Sequence, residues 1–327
     1  MRGLVAPGAG PREKESLDLP SRRAGYTLTI RKGEIMCGIF AFTSTGGLGP
    51  DLNYLADIAV VTESRGAQAF GFAWLNSDGV MRQYRQSGKL SANLDCLSML
   101  EDAQMMIAHT RFSTHGNPDH NINNHPHPCD GGWIVHNGII FNAAKLVADH
   151  KLRPSSECDS EVIGLLIEKF GRAGGLAGRM GRAINLTMDG PLATMGLWPH
   201  RGGQFLWSRR GHPLHRGVVT HGKYYASLPE GLPGKVHALT DNKVVLHRWS
   251  RGERRANHEQ TYVLRKGGNA RQRPLFTADR ETDGVSFEFG QAAGHDSQRS
   301  NSSVVGSVPR IPAKPLRLVV RRGRWFA

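Results

Sequence analysis

MCGIFAF occupies residues 36–42 and sets a cysteine directly after a methionine, at the head of an apolar, β-rich run. If that methionine is removed, Cys37 becomes an N-terminal residue that carries both a nucleophilic sulfur and a free α-amine. A thiol of pKa about 8.5 is mostly protonated at neutral pH, whereas an α-amine of pKa roughly 7.7–8.0 is a base within reach. One residue then supplies nucleophile and base, as in the N-terminal threonine variant of the catalytic triad. Taken alone, Cys37 reads better as an ordinary buried thiol, and the rest of the chain has to decide.

Downstream, apolar stretches rich in β-formers recur at residues 70–75, 105–112, 133–140, 193–198, 204–207, 218–226 and 243–249, many punctuated by Gly, Asn or Pro. Helical spacing fits residues 52–64, 143–150 and 159–170, the last with an apolar face of Val162, Ile163, Leu166, Ile167 and Phe170. Strands dominate, and neither a βαβ alternation nor a GxGxxG turn occurs. This pattern argues against a Rossmann domain, and the expectation is an α+β domain of packed sheets with helices outside.

The 327 residues carry a formal charge of +14, which invites a nucleic-acid reading. Residues 1–36 and 250–327 together hold +11 of it, and residues 37–249 keep only +3. Charge gathered in the flanks describes tails and says little about the folded part. No apolar run approaches the roughly 20 residues that span a bilayer. Four scattered cysteines make no disulfide framework, so a reducing cytoplasm is expected. Residues 1–36 read as a leader, a propeptide or an untranslated upstream extension, with a brief alternation at Tyr26–Ile30. Lys32-Gly33-Glu34 is encodable by a purine run resembling a ribosome-binding site, which makes Met36 the expected translation start. Residues 250–327 read as a basic, low-complexity, flexible tail.

Three further clusters accompany Cys37: HTRFSTHG at 109–116, HNGII at 136–140 and ECDSEVI at 157–163. Asn137 and Gly138 can offer a side-chain amide and an unobstructed backbone N–H to a tetrahedral oxyanion. Arg111 offers a bidentate fork for a carboxylate and Asp159 an anion for an ammonium, which together read a free α-amino acid. The competing readings are a turn at Asn137-Gly138 and a structural ion pair between Arg111 and Asp159.

In order, identity and spacing, MCGIF, Arg65-Gly66, HTRFSTHG, the His-Pro-His at 125–127, HNGII and ECDSEVI resemble the class II glutamine amidotransferases, which are N-terminal-nucleophile hydrolases. The resemblance is greatest to the glutaminase domain of glucosamine-6-phosphate synthase and covers residues 37–249. It implies a four-layer αββα sandwich and hydrolysis of the glutamine side-chain amide through a γ-glutamyl thioester on Cys37, with no cofactor. It further implies Asn137 and Gly138 as the oxyanion hole and Arg111, Thr114 and His115 on the glutamine α-carboxylate. Asp159 would hold the α-amine, Arg65 would lie near the site, and His125 would sit on a loop at the pocket mouth. Phe112 and Ser113 stand where that family usually has Trp and Ala, and Ala67-Gln68-Ala69-Phe70-Gly71 replaces an Asp-Ser pair. The loop from His115 to His125 is about one residue longer, leaving Asn123 or Asn124 as the aligned Asn.

The chain has no room for a sugar isomerase and shows no P-loop, phosphoribosyl-pyrophosphate motif or ATP-pyrophosphatase loop. Ammonia would therefore go to an acceptor held by a separate partner. Two alternatives remain: the same fold acting on another amide, and a non-catalytic module whose basic tail binds nucleic acid or an acidic partner. His120, His125, His127 and Cys129 lack the pair-plus-pair spacing of structural zinc sites, so they are expected on a lid loop with exposed histidines and no metal. Cys96, Cys129 and Cys158 are expected to be passive.

Overall fold

A computed structural model describes residues 15–18, 27–30, 36–171, 175–188, 190–200, 203–248, 258–264 and 276–277, all within a unit spanning Met1–Glu281. A two-stranded antiparallel sheet comes first, β1 (Glu15–Asp18) with β2 (Thr27–Ile30), the second strand falling on the alternation noted above. Then follow β3 (Gly38–Ser44), α1 (Leu52–Glu63), β4 (Ala69–Asn76), β5 (Met81–Ser87), β6 (Ala103–Arg111), β7 (His127–Cys129), β8 (Gly132–Gly138), α2 (Ala143–His150), α3 (Glu161–Lys169) and α4 (Gly175–Leu186). The remaining strands are β9 (Leu192–Trp198), β10 (Gln204–Arg210), β11 (His215–Val219), β12 (Gly222–Ala226), β13 (Lys235–Ala238), β14 (Lys243–Arg248), β15 (His258–Val263) and β16 (Phe276–Thr277).

Two seven-stranded sheets result. The first runs β13-β11-β12-β3-β6-β4-β5 and the second β16-β15-β14-β10-β9-β8-β7. Strand alternation sends side chains to both faces of each sheet, and the apolar residues sort accordingly. Ile39, Ala41, Ala73 and Ile107 of the first sheet meet Val135, Met195, Phe205 and Val245 of the second in a shared core. Phe40, Phe42, Phe72 and Met106 point the other way, onto Leu55, Ile58 and Ala59 of α1. Ile134, Leu206, Val244 and Leu246 face Val162, Ile163, Leu166 and Ile167 of α3 and Met180 and Ile184 of α4. The order of layers is helix, sheet, sheet, helix: the α+β, αββα sandwich expected from the sequence. Because both faces of both sheets are covered, β3, β4, β6 and β9 are buried along their whole lengths.

The second sheet continues past the boundary expected at residue 249. β15 pairs with β14 from Lys243↔Val263 to Arg248↔His258, and Tyr262 and Leu264 are each 2% exposed. The strand was hidden because HEQTYV sits in an Arg- and Asn-rich stretch with few apolar residues. Residues 278–327, most of the expected tail, lie outside the described residues.

Candidate active site

Cys37 stands at the entrance to β3, the central strand of the first sheet. Gly38 brings the chain against the end of α1: a Cβ there would lie 2.3 Å from Thr62 Cγ2 and 2.6 Å from the Thr62 carbonyl. Gly66 makes a second close approach, where a Cβ would fall 2.4 Å from the Phe112 nitrogen and 2.5 Å from the Arg111 carbonyl carbon. Arg65, 8% exposed, donates from Nε to the Cys37 carbonyl at 3.0 Å, and its own carbonyl accepts from the Met36 N–H at 3.1 Å. The Arg-Gly pair thus fixes the backbone of residues 36–37 from one side. From the other, the Cys37 thiol donates to the Phe112 carbonyl at 3.2 Å and accepts from the Phe112 N–H at 3.4 Å. Burial pushes the Cys37 thiol up to about 12, although the residue as a whole keeps intermediate exposure. With the peptide to Met36 intact, this sulfur is a neutral thiol.

Asn137 and Gly138 end β8 on the second sheet, paired with Ala193 and Leu192 of β9, so they form no turn. The two sheets are linked beside them, where His109 Nε2 lies 3.2 Å from the His136 carbonyl and His109 pairs with Ile39. Asn137 is completely buried, yet neither its Nδ2 nor its Oδ1 has a hydrogen-bond partner. Such an amide is costly unless something else engages it. Gly138 has φ +145, and a Cβ there would sit 2.8 Å from the Pro191 carbonyl. Only glycine suits that position.

Arg111, 2% exposed, closes β6. Its guanidinium donates to Asn124 Oδ1 at 2.6 Å, to the Gly116 carbonyl at 3.1 Å and to the His115 carbonyl. All these acceptors are neutral, and among the described residues no ion pair joins Arg111 to Asp159. Asn124 is thus the asparagine that meets the arginine, while Asn123 pairs with Glu157, its Nδ2 donating to Oε2 at 3.0 Å and its Oδ1 accepting from the Glu157 N–H at 2.9 Å. Asp159 Oδ2 accepts from the Ile140 N–H at 2.6 Å, tying the turn before α3 to the segment after β8. That turn is locked by Glu161, whose carboxylate accepts from the backbone N–H and hydroxyl groups of both Ser155 and Ser156. Burial opposes its charge, but these donors outweigh it and hold the carboxyl below the usual range.

A cavity of about 580 Å³ opens over this region, lined among others by Thr114, His115, Ile140, Phe141, Cys158 and Asp159. His115 Nδ1 lies 4.0 Å from Asp159 Oδ1 across it. The structure therefore gathers Thr114, His115 and Asp159 on one cavity, and the opposite charges of Arg111 and Asp159 both act on the Cys37 thiol.

One placement differs from expectation. His125 and His127 are 3% and 1% exposed and do not line the cavity, so they are not exposed lid histidines. Pairing of β7 with β8 draws this segment into the second sheet, and His125 stacks on His109 with ring centroids 3.9 Å apart. Sequence reasoning also passed over two residues. Gln68 Oε1 accepts from the Ser113 N–H at 2.6 Å, and Arg85 donates to the carbonyls of Asn121 and Asn124, both at 3.1 Å. Gln68 lies in the segment that departs from the resembled family, which was the available signal. Arg85 sits on a polar edge strand and gave none.

No family model matches the chain. Among curated proteins it is similar to the glutamine–fructose-6-phosphate aminotransferase of Agrobacterium fabrum, 35% identical over 188 residues, which is 56% of this chain and 30% of that enzyme. The same enzyme of Rhizobium leguminosarum bv. viciae is 34% identical over 194 residues, 57% of this chain and 30% of the relative. The chain thus matches about 30% of the length of these relatives. Among solved structures it is similar to a class II glutamine aminotransferase domain protein from Silicibacter pomeroyi, at TM-score 0.46 and 17% identity, covering 70% of this chain and 99% of that one. The glutamine phosphoribosylpyrophosphate amidotransferase of B. subtilis is similar at TM-score 0.48 and 18% identity over 64% of this chain and 47% of that one. The resemblance first read from the motifs is matched in the curated aminotransferases over somewhat more than half of this chain.

Proposed function

We infer that this chain hydrolyses the side-chain amide of glutamine and supplies the ammonia to an acceptor held by a separate partner. The observation that carries the reading is the buried, unpartnered carboxamide of Asn137 next to Gly138, at the level where His109, paired with Ile39 of β3, links the two sheets.

In the proposed reaction Met36 is absent and Cys37 is N-terminal. Burial holds the thiol up, so it needs a base, and the freed α-amine, of ordinary pKa roughly 7.7–8.0, is the base on the same residue. Arg65 keeps the Cys37 carbonyl in place while this happens. The sulfur attacks the amide carbon, and the oxyanion receives hydrogen bonds from Asn137 Nδ2 and the Gly138 N–H, donors worth about 3–4 kcal/mol each. Ammonia leaves as the γ-glutamyl thioester forms, and water hydrolyses the thioester to glutamate. Arg111, Thr114 and His115 take the α-carboxylate and Asp159 the α-amine. Arg111 then gives up part of its hold on the His115 and Gly116 carbonyls. The free cysteines suit a reducing, cytoplasmic setting. The alternative in which the basic tail binds nucleic acid rests on residues outside those described.

The test joins two measurements on the native protein. Intact mass should show a chain beginning at Cys37, and Cys37→Ala should abolish glutamine-dependent ammonia release. Activity retained in that variant overturns the assignment of the nucleophile.

A further inference from the structure

We propose that His125, His127 and Cys158 form a binding site for one zinc ion, pinning the segment that enters β7 to the turn that precedes α3. Their ligand atoms all lie within 4.8 Å of one another, and all three residues are buried. The two histidines flank Pro126 and Cys158 comes from a segment 31 residues further on, so the cluster is assembled by the fold.

Two observations carry the assignment. Both ring nitrogens of His125 and Nε2 of His127 are buried without a hydrogen-bond partner, although buried imidazole nitrogens are ordinarily engaged. The His125 and His127 rings meet edge to face at 4.5 Å between centroids, with a nitrogen of each within 4.8 Å of the Cys158 sulfur. Two imidazoles and a thiolate suit zinc, with Zn–N about 2.0–2.1 Å and Zn–S about 2.3 Å. Those lengths put tetrahedral ligand atoms about 3.5 Å apart, so side-chain rotations of roughly an ångström close the site. On binding, the Cys158 thiol loses its proton to solvent and the sulfur pair bonds to the ion; no redox change is involved. Three protein ligands leave a fourth position open. The Cys158 thiol meets Asp159 Oδ1 in a long contact of 3.9 Å, and its sulfur accepts hydrogen bonds from Ser160 that a thiolate would keep. Cys129, the sulfur nearest in sequence to the two histidines, instead turns to the Gly164 carbonyl at 3.7 Å.

The probes are zinc and cobalt(II) alone, added to the full chain without glutamine, so the outcome is independent of glutaminase activity. Competition with a chromophoric chelator should give one zinc per chain. Cobalt should give the visible bands of a tetrahedral ion and one thiolate charge-transfer band. Cys158→Ser should remove that band and weaken zinc binding at least about 100-fold, beyond the 10- to 100-fold typical of losing an outer-shell partner. Cys37→Ala should keep both, which separates the site from the nucleophile. Zinc should also raise the melting midpoint of the wild type and not of Cys158→Ser. Absence of stoichiometric uptake, a cobalt spectrum without the thiolate band, or a band that survives Cys158→Ser or disappears in Cys37→Ala overturns the proposal. The wild-type spectrum decides even if a variant fails to fold.

Discussion

Replacing Asn137 by alanine should slow the proposed glutamine hydrolysis and stabilise the fold at once. In the structure the carboxamide is fully buried and neither atom has a partner within the protein. Each unpaired buried polar group costs about 1–3 kcal/mol, so removing two relieves at least about 2 kcal/mol. Against this stands the void left behind: at about 24 cal/mol per Å³, a cavity on the order of 40 Å³ costs about 1 kcal/mol. The net expectation is a variant more stable than wild type by about 1–3 kcal/mol in urea unfolding. In the proposed reaction the same amide meets the oxyanion, so its loss should lower kcat for ammonia release by about 10²–10³-fold, near 3–4 kcal/mol of barrier, with little change in KM. A variant that is clearly less stable while keeping more than a tenth of wild-type kcat would refute the reasoning and make Asn137 a structural residue.

The buried imidazoles should make the fold acid-sensitive. His247 Nε2 accepts from Trp207 Nε1 at 3.2 Å, and burial, helped by Lys223 and Arg216, lowers its pKa to about 3; the exposed Glu259 carboxylate at 3.8 Å does not reverse this. The native state therefore refuses a proton that the unfolded chain takes up near pH 6.5. Stability is full above that pH and falls by about 1.4 kcal/mol per unit as pH drops towards 3. His247→Gln keeps an acceptor for Trp207 and should remove about 2 kcal/mol of the stability difference between pH 7 and pH 5; an unchanged difference in urea unfolding would contradict this. Tyr262→Ala tests whether the sheet extends past residue 249. Its ring fills the space above Gly181, where a Cβ would lie 2.2 Å from Cε1, so the loss should be about 3–5 kcal/mol, and a loss below about 1 kcal/mol would separate β15 from the core.

Much of this architecture is written in the chain because burial on both faces turns β3, β4, β6 and β9 into continuous apolar runs. α1 and α3 advertise themselves by helical spacing, α1 with Asp51 capping the Asn53 N–H at 2.8 Å. Elements that escape notice break those patterns for identifiable reasons. β5, MRQYRQS, is an edge strand whose residues are nearly all half-buried, so no alternation marks it. α4 carries glycines at 178 and 181 that lower helix propensity, yet Gly181 is what lets Tyr262 of β15 lie against the helix. The expected strand over 218–226 is two strands, β11 and β12, because the chain reverses after Val219 into an antiparallel pair. At the site, motif residues could be named from the sequence. The hydrogen bonds of Arg111 to its own loop, the burial of His125 and His127 and their meeting with Cys158 depend on contacts between distant segments and could not.

The hold of Arg111 on neutral acceptors has a consequence for turnover. A buried guanidinium surrounded by carbonyls and an amide leaves a full positive charge uncompensated, and a carboxylate that replaces those dipoles neutralises it. Under the proposed roles, Arg111 and Asp159 engage only the α-carboxylate and α-amine, which glutamine and glutamate share. The groups that capture substrate then hold product just as firmly, and the enzyme should be inhibited competitively by glutamate. Clearing the site becomes the business of the distal carboxylate, which leaves the buried Asn137 amide for water.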